Sequence, residues 1–364
     1  MLKNSINSMN PINSMNPEKL VINLNKPENI SSQQAVIKVK RLFSAKKAGH
    51  AGTLDPIATG ILIVCLNEAT KITRFISYLD KEYIVRLKFG ERTDTYDFTG
   101  KIVEKTDYFF INEADIHKVL NNFTGRIKQI PPMYSAIKIG GQPLYKLARL
   151  GMNIKRPERT IDIYKIDLLS FNLPYLDLKI SCSKGTYIRT LCDDIGNALG
   201  VGAHMVSLER TRIGMFRIED SASIEELTNK KDACYSIDSA ISHLHEIILD
   251  EGSYYKAQNG MPIILSSEAL AKVSNEHPPQ PLPSREGITP PQPPLNLRGG
   301  EGGVMFPSPL AGEGKGEGGF PGMNQYVRLK SPENILFGIG KVEHNYIKIE
   351  RLLNRFSQES EITS

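Results

Sequence analysis

Alternation of hydrophobic and polar positions is strictest over residues 81–89, where every second side chain from Tyr83 to Phe89 is apolar. A period of two residues is typical of a strand with one buried face, so Tyr83 is predicted to point to the apolar side of a sheet. Residues 61–66 form a continuous apolar run, and residues 176–182 alternate again. Both segments are predicted to be strands of the same core.

Segments with helical periodicity lie before and after these strands in the chain. The serines at 31–32 are placed to cap a helix that runs through Phe43, and residues 68–79 are predicted to form the helix after the first apolar strand. Residues 188–199 carry one apolar stripe and are followed by Gly200, which is a typical C-terminal cap. The mixture of strands and helices predicts a mixed α/β (α+β) fold.

The C-terminal third has a different pattern. After about residue 248 the predicted elements are short strands, at 326–329, 335–339 and 346–352. We therefore expect a small β-rich second domain over about 247–358, following a larger domain over 18–246.

Two segments lack the periodicity that a core requires. Residues 1–17 repeat an Asn-Ser-Met-Asn-Pro unit and are predicted to be a disordered tail. Residues 278–322 hold 11 of the 22 prolines and 11 of the 29 glycines, so a disordered insert is predicted at about 275–322. A repetitive insertion into a surface loop is favoured over a functional flexible arm.

Composition narrows the class of protein. The 364 residues carry 45 basic and 40 acidic side chains, a net charge of +5, which is too small to identify a partner. No apolar run is long enough to span a bilayer and no signal peptide is readable, so a cytoplasmic protein without membrane association is expected. The cysteines form no Cys-x-x-Cys pair, which argues against a zinc ribbon, a disulfide scaffold or an iron-sulfur site. They are Cys65, Cys182, Cys192 and Cys234.

The most unusual local sequence is a glycine-rich segment, Gly49-His-Ala-Gly-Thr-Leu-Asp-Pro-Ile-Ala-Thr-Gly60, just before a buried strand. Loops at the end of a rigid strand often carry function. The phosphate-binding patterns Gly-x4-Gly-Lys-Ser/Thr and Gly-x-Gly-x-x-Gly are absent, so a nucleotide site is not supported. From composition alone, a structural turn at Asp55 before Pro56 is the favoured interpretation.

Several spaced motifs, in the same order along the chain, resemble those of the bacterial-type tRNA pseudouridine-55 synthases. The resemblance covers residues 20–245 densely and the C-terminal strands more loosely. The motifs are Gly49–Gly60, Lys81-Glu-Tyr83, Thr93-Asp-Thr-Tyr-Asp97, Gln129-Ile-Pro-Pro-Met-Tyr-Ser-Ala-Ile-Lys138, Gly185-Thr-Tyr-Ile-Arg-Thr-Leu191 and Leu208-Glu-Arg-Thr-Arg212.

This resemblance implies an isomerase that converts uridine to pseudouridine at tRNA position 55, in the loop of the T arm. It implies a pseudouridine-synthase catalytic domain with a mixed, largely antiparallel sheet flanked by helices, and a small C-terminal β-barrel-like, PUA-like domain that binds RNA. The reaction breaks and reforms a glycosidic bond and requires no redox step, phosphoryl transfer or metal. No cofactor is therefore expected, and the enzyme is expected to be a monomer.

By the same resemblance, Asp55 is the candidate nucleophile, and attack at C1′, attack at C6 and removal of a sugar proton remain open as its route. An ionised carboxylate in a partly dry pocket needs a cationic partner, and Arg189 matches the family position. On the predicted helix, Arg189 is also four residues before Asp193 and could form an ordinary surface pair. Tyr83 is placed to stack on the flipped base and to relay the proton from C5.

The resemblance assigns five further residues to substrate binding. His50 is expected to brace the gap left by the extruded nucleotide, Tyr187 to offer a second ring, and Leu208 to form an apolar wall. Lys26 and Lys138 complete the candidate set. Without the family context, His50 would be interpreted as a solvated surface residue, and Tyr187 and Leu208 as core residues.

Charge distribution supports RNA binding independently. Residues 126–160 contain eight basic side chains and one acid, Glu158, with Tyr134 and Tyr145 among them. Such a basic segment favours a nucleic-acid backbone, although a solvated face is the alternative. The basic residues are Arg126, Lys128, Lys138, Lys146, Arg149, Lys155, Arg156 and Arg159.

One position departs from the family pattern, because Asn29 stands where glycine is usual, and asparagine tolerates a positive φ. Two other functions remain open: an RNA-binding protein without catalysis on the same scaffold, and a pseudouridine synthase of different RNA specificity. The presence of Asp55, Tyr83 and Arg189 together favours an enzyme.

Overall fold

The computed structural model describes residues 19–265 and 325–353. The predicted tail over 1–17 and the predicted insert at about 275–322 lie outside these residues. No helix in the described part of the chain is long and apolar enough to cross a membrane.

The described chain contains strands and helices in mixed order. The strands are β1 Leu20–Lys26, β2 Ala48–His50, β3 Thr59–Leu66, β4 Lys81–Phe89, β5 Glu91–Thr93, β6 Ile102–Lys105, β7 Gly125–Gln129, β8 Lys138–Ile139, β9 Gln142–Pro143, β10 Arg159–Asn172, β11 Tyr175–Cys182, β12 Ala203–Ile213, β13 Phe216–Arg217, β14 Cys234–Ser236, β15 His245–Ile248, β16 Ile263–Ile264, β17 Tyr326–Lys330, β18 Leu336–Glu343 and β19 Tyr346–Leu352. The α-helices are α1 Ser32–Leu42, α2 Thr73–Ser77, α3 Glu113–Asn122, α4 Leu144–Arg149, α5 Ile188–Ala198, α6 Ile237–Ala240 and α7 Glu251–Gln258.

The larger sheet has ten strands, in the order β14-β1-β3-β12-β4-β11-β10-β7, with β2 paired to β3 and β13 paired to β12. Among its described pairings, β3 with β12 is parallel and the others are antiparallel. The predicted mixed, largely antiparallel sheet flanked by helices is therefore confirmed.

Both faces of this sheet are covered, and the side chains of β3 are buried on both of them. One face packs on α1, α3 and α5. The other packs on the segment 69–76 and on residues of the C-terminal strands, including Ile339 and Leu353. Alternating positions of β4 are buried from Lys81 to Phe89, as the sequence pattern predicted.

The C-terminal strands form a second sheet, in the order β15-β17-β18-β19-β16. This confirms the predicted β-rich character of the region, while the domain limits at 246 and 247 stay a prediction. The sheet contacts the larger body directly: Arg74 pairs with Glu350 at 2.6 Å, and the rings of Phe75 and Tyr326 pack edge to face at 5.1 Å between centroids.

Helix predictions were mostly confirmed. Ser31 caps α1 with a capping box to Gln34, and Gly200 follows the end of α5 with φ of 76°. The prediction of one helix over 68–79 is wrong, because a 3₁₀-helix over Asn67–Ile72 precedes the short α2. Hydroxyls in this segment donate to backbone carbonyls three residues earlier, as Thr70 does to Asn67, and such bonds compete with a continuous α-helix.

Candidate active site

The glycine-rich segment forms the loop between β2 and β3 and carries Asp55 at its tip. Both hydrogen-bonding groups of the Ser32 hydroxyl anchor this loop to α1, since its Oγ donates to the Leu54 carbonyl and accepts from the Leu54 N–H. Gly60 has a φ of 92°, and a Cβ there would overlap the backbone of Arg210. The close packing of β3 on β12 therefore requires glycine at this position.

Arg189, in the first turn of α5, holds the Asp55 carboxylate with two bonds. Its Nε lies 2.8 Å from Asp55 Oδ2, and its Nη2 lies 3.2 Å from Oδ1. The Arg189 side chain is 7% exposed, whereas the Asp55 side chain is 33% exposed. This forked pair fixes the carboxylate while leaving it open to a ligand. The alternative pairing of Arg189 with Asp193 is wrong, because Asp193 pairs with Arg92 instead.

A second carboxylate, Asp97, lies on the other side of Arg189, 3.3 Å from Nη1. The hydroxyls of Thr95 and Thr99 both donate to Asp97 Oδ1. Arg189 also donates to the carbonyls of Thr95 and Tyr134. Arg189 is thus shared between two carboxylates and two backbone segments.

Opposing influences act on the pKa of Asp55. Removal from water raises the pKa of Asp55, and the neighbouring Asp97 acts in the same direction, whereas Arg189 and Lys26 lower it. The net direction is upward from the ordinary value of an aspartate. A carboxylate of raised pKa is a stronger base and nucleophile when ionised.

Tyr83 lies on β4 and is 8% exposed. It pairs in register with Arg210 of β12 and Ile180 of β11. Burial raises the pKa of the Tyr83 hydroxyl, with the Arg210 guanidinium opposing that increase and Asp55 contributing to it. The hydroxyl therefore stays protonated at neutral pH.

Arg210 was not among the predicted site residues. It is 1% exposed, and its guanidinium donates to the carbonyls of Ile61, Gly52 and Thr53 at 2.8, 3.1 and 3.4 Å. These bonds attach the glycine-rich loop to β12 and β3. The Leu-x-Arg-Thr motif placed Arg210 in a matched segment, but periodicity gives no signal for a buried arginine.

Lys26, predicted to bind substrate, is fully buried at the end of β1. Its Nζ donates to the carbonyls of Pro27, Ile30 and Pro56 at 2.7, 2.9 and 3.3 Å. Burial lowers the pKa of Lys26 to about 8, and Asp55 opposes that decrease. The geometry makes Lys26 a support of the loop; a contact with substrate stays a prediction.

Asn29, which departs from the family pattern, also supports the loop that carries Asp55. It has a φ of 65°, and its N–H donates to the Pro56 carbonyl at 2.8 Å. The left-handed turn expected at this position is therefore kept with asparagine in place of glycine.

Tyr187 and Leu208 lie close to the Asp55 cluster. Tyr187 precedes α5, and its backbone N–H and carbonyl both bond to the Gln129 side chain, at 2.8 and 3.0 Å. Burial raises the pKa of Tyr187. Leu208 is 7% exposed, pairs with Val85 of β4 and packs in the same core as Tyr83. Gln129 was not among the predicted site residues either, since in the sequence it is an ordinary polar residue at the end of a strand.

His50 and Lys138 are placed differently. His50 lies on β2 opposite Val64 and is partly exposed; burial and then the Arg210 charge lower its pKa, so the ring is neutral at pH 7. Lys138 is exposed on the β8–β9 hairpin, and no described contact joins it to Asp55. The roles of both in RNA binding stay predictions.

The basic segment 126–160 forms one flank of the site, and its Tyr134 carbonyl accepts from Arg189. Two of its basic residues are paired, Arg126 with Asp162 and Lys128 with Glu158. The positive charge of the segment's other basic residues is less neutralised by acidic side chains. Within the described ranges, no group of His, Cys, Asp and Glu side chains is arranged to hold a metal ion.

Two family models match the chain in succession. Residues 40–188 match the TruB family pseudouridylate synthase N-terminal domain, and residues 189–250 match the tRNA pseudouridylate synthase B C-terminal domain.

Named relatives agree with these matches. The tRNA pseudouridine synthase B of Clostridium tetani is 48% identical over 245 residues, which are 67% of this chain and 85% of the relative. That of Bordetella avium is 47% identical over 58% of this chain and 88% of its own length. In fold, the chain resembles the solved Cbf5-Nop10-Gar1 complex, with a TM-score of 0.62, 22% identity, and 93% of this chain and 86% of that chain covered.

Proposed function

Because the chain belongs to the TruB family of pseudouridylate synthases, we propose that it converts uridine to pseudouridine in the T loop of tRNA, at tRNA position 55. The observation that carries the proposal is the Asp55 carboxylate, held by the Arg189 fork and still one third exposed, close to buried Tyr83. The tRNA substrate assigns the reaction to the cytoplasm. A monomer is proposed to be sufficient for catalysis, since one chain supplies Asp55, Arg189 and Tyr83.

The reaction needs one carboxylate and no external reagent. The N1–C1′ bond breaks, the base turns over, and C5 bonds to C1′. The proton on C5 then leaves, and N1, which no longer carries the sugar, takes up a proton, so that the product is an isomer of the substrate. Asp55 is the nucleophile or base of each open route: attack at C1′, attack at C6, or removal of a sugar proton. Arg189 opposes the rise in the pKa of Asp55, which favours the ionised form, and fixes the direction of the carboxylate.

Tyr83 and Leu208 give the flipped base its apolar surroundings. Stacking on an aromatic ring recovers about 1–3 kcal/mol of the stacking energy that the base loses when it leaves the loop. The protonated Tyr83 hydroxyl is also suited to relay the proton from C5. His50, neutral and planar, is proposed to fill the place of the extruded nucleotide.

RNA affinity is proposed to come from the basic segment 126–160, including Lys138, with one salt-sensitive contribution for each phosphate that is neutralised. Recognition of a splayed loop base, rather than of helical grooves, fits an enzyme that acts on a tRNA arm.

The test is pseudouridine formation on a transcribed T-arm stem-loop, without added metal or nucleotide. Wild type is expected to form product at the T-loop uridine, and Asp55→Asn to lose at least about 10³-fold in rate while RNA affinity stays within a few-fold. Asp232→Asn, an exposed aspartate on the 3₁₀-helix Lys231–Ala233, is the matched control and should behave as wild type.

Substantial turnover by Asp55→Asn would overturn the assignment of the nucleophile. Tight, salt-sensitive binding without any product from wild type would favour RNA binding alone, and product at a uridine outside the T loop would indicate another RNA specificity.

A further inference from the structure

Lys184 presents an exposed, positioned cation that the proposed reaction does not yet use. Its Nζ lies 3.1 Å from the centroid of the Tyr78 ring, and Tyr78 is 39% exposed. In the described part of the chain, no carboxylate is within ion-pair distance of Lys184, whereas many other surface lysines, such as Lys179 with Glu82, have one. The charge of Lys184 is therefore oriented by a ring face and is available to an anion.

The turn that carries Lys184 leads directly into the candidate active site. It joins β11 to α5, and Lys184 precedes Tyr187 by three residues, a span of at most about 10 Å of backbone. The turn is braced at both ends: Thr186 Oγ donates to the Ser183 carbonyl at 3.0 Å, and Ser183 Oγ accepts from the Asp162 N–H at 2.9 Å. The lysine thus occupies a fixed place beside the site.

Tyr78 connects this place to the second sheet. It follows α2 immediately, and the segment just before it contacts the C-terminal strands, through Arg74 to Glu350 and through Lys71 to the Leu352 carbonyl at 3.0 Å. The Lys184–Tyr78 pair therefore joins the turn that leads to Tyr187 with the segment that contacts the C-terminal sheet.

The charged groups near Lys184 leave its ammonium free to bind an anion. Asp80, the nearest carboxylate along the chain from Tyr78, accepts a hydrogen bond from the Tyr164 hydroxyl at 2.9 Å. Lys81 is buried, and its Nζ donates to the carbonyls of Ser77 and Leu79. Lys184 is consequently the solvent-facing charge of this small group.

We propose that Lys184 binds a backbone phosphate next to the flipped uridine, and that the Tyr78 ring positions its ammonium for that contact. The inference rests on the proposed function, since it assigns a substrate contact of the same site. Lys184 does not touch the reacting atoms, so it acts on affinity, and Tyr78 is the positioning residue.

The test measures binding and single-turnover rate of full-length protein with transcribed tRNA over a series of salt concentrations. Lys184→Ala is expected to raise Kd about 3- to 10-fold and to lower the slope of log K against log salt by about 0.7–0.9, the value of one phosphate contact. The rate at saturating tRNA should stay unchanged. Lys184→Arg should keep the slope of wild type.

Variants of Tyr78 separate orientation from charge. Tyr78→Phe keeps the ring and should bind as wild type. Tyr78→Leu keeps an apolar side chain but removes the ring, so it should raise Kd by less than Lys184→Ala does and leave the salt slope nearly intact. Loss of the slope with Tyr78→Leu, or no loss with Lys184→Ala, would overturn the inference.

Lys118→Ala is the matched control, because Lys118 is an exposed lysine on α3 and its removal changes the net charge equally. An equal change of slope in this variant would indicate a general effect of charge and would overturn the assignment to Lys184. Failure of the proposed function is distinguishable, since wild type would then form no pseudouridine whatever the behaviour of Lys184→Ala.

Discussion

At the scale of residues, the site depends on how one guanidinium is divided between two carboxylates. Arg189 makes two bonds with Asp55 and one longer bond with Asp97. Asp97 lies close enough to repel the charge of Asp55, so it raises the pKa of Asp55. Asp97 therefore anchors Arg189 and at the same time adjusts the basicity of Asp55.

Asp97→Asn should shift the acid limb of the pH profile of kcat/KM to lower pH. The physical reason is that Asp97 raises the pKa of Asp55, so its neutral replacement lets Asp55 ionise at lower pH. The plateau rate should fall by about tenfold as Arg189 loses an anchor. The measurement is the single-turnover and steady-state rate between pH 4 and 8, with buffers of constant ionic strength.

Asp94→Asn provides the control for that prediction. Asp94 lies in the same turn, is exposed, and uses Oδ1 to accept from the Lys101 N–H, which an asparagine can also do. Its profile should match that of wild type. An acid limb of Asp97→Asn that stays in place or moves to higher pH would contradict the electrostatic account of Asp55.

The sequence identified part of this network. Asp55, Tyr83 and Arg189 were located through matched motifs, and the structure brings them together, although their catalytic roles await the kinetic tests. Asp97 and Arg210 were missed, because their partners are distant in the chain and a buried charged residue has no periodic signal. Only the three-dimensional contacts reveal that Arg210 holds the Asp55 loop and that Asp97 binds the Arg189 guanidinium, which in turn holds Asp55.

At the scale of elements, α5 carries both a site residue and a local electrostatic cost. Asp193 is almost buried and binds Arg92 with two bonds, at 2.9 and 3.2 Å. Burial and the neighbouring Asp193 raise the pKa of Asp194 to about 7, and Arg92 opposes this increase. Below about pH 7, Asp194 therefore favours its neutral form in the folded protein.

Asp194→Asn should stabilise the protein more at pH 8 than at pH 5. With a folded pKa above the unfolded value near 4, Asp194 binds its proton more tightly in the folded state, so its contribution to stability is lost as pH rises from about 4 to 7. The asparagine variant avoids this loss and should gain roughly 1–2 kcal/mol at pH 8. Urea unfolding at the two pH values measures the difference.

Asp193→Asn, one residue away, is the opposing control. It removes the carboxylate that pairs with Arg92 and should destabilise the protein at both pH values. If Asp194→Asn stabilised the protein equally at pH 5 and pH 8, the raised pKa of Asp194 would be wrong.

Strand predictions were more accurate than helix predictions for a physical reason. The alternation of β4 predicted Lys81–Phe89 with its actual limits, because one face of the strand is buried along its whole length. The segment 68–79 has helical spacing, but its hydroxyl side chains bond to nearby carbonyls and favour the 3₁₀-helix. Such local competition is invisible to a pattern of hydrophobic positions.

At the scale of the whole molecule, the order of the second sheet determines how the chain crosses it. Among the described strands, β16 and β17 follow one another in sequence, yet β16 lies at one edge and β17 lies next to the other, with β18 and β19 between them. The connection must therefore span three inter-strand spacings, about 14 Å. Any variant with a shortened connection has to keep enough residues to span this distance.

Deletion of residues 278–322 should leave the melting temperature within about 3 °C of wild type. Sixteen residues would remain between Ile264 and Tyr326, and they reach about 50 Å when extended, well over the distance to be crossed. A shorter loop also costs slightly less entropy to close. The variant should keep pseudouridine formation on the T-arm stem-loop, measured beside its thermal unfolding.

A second deletion tests the geometric argument itself. Removing residues 266–324 leaves two residues, Leu265 and Gln325, between β16 and β17, too few to cross three strand spacings. This variant should lose the pairing of β16 with β19 and melt at a lower temperature. Equal stability of the two deletions would show that β16 does not need its place at the edge, and a large loss in the shorter deletion would show that residues 278–322 contribute to the fold.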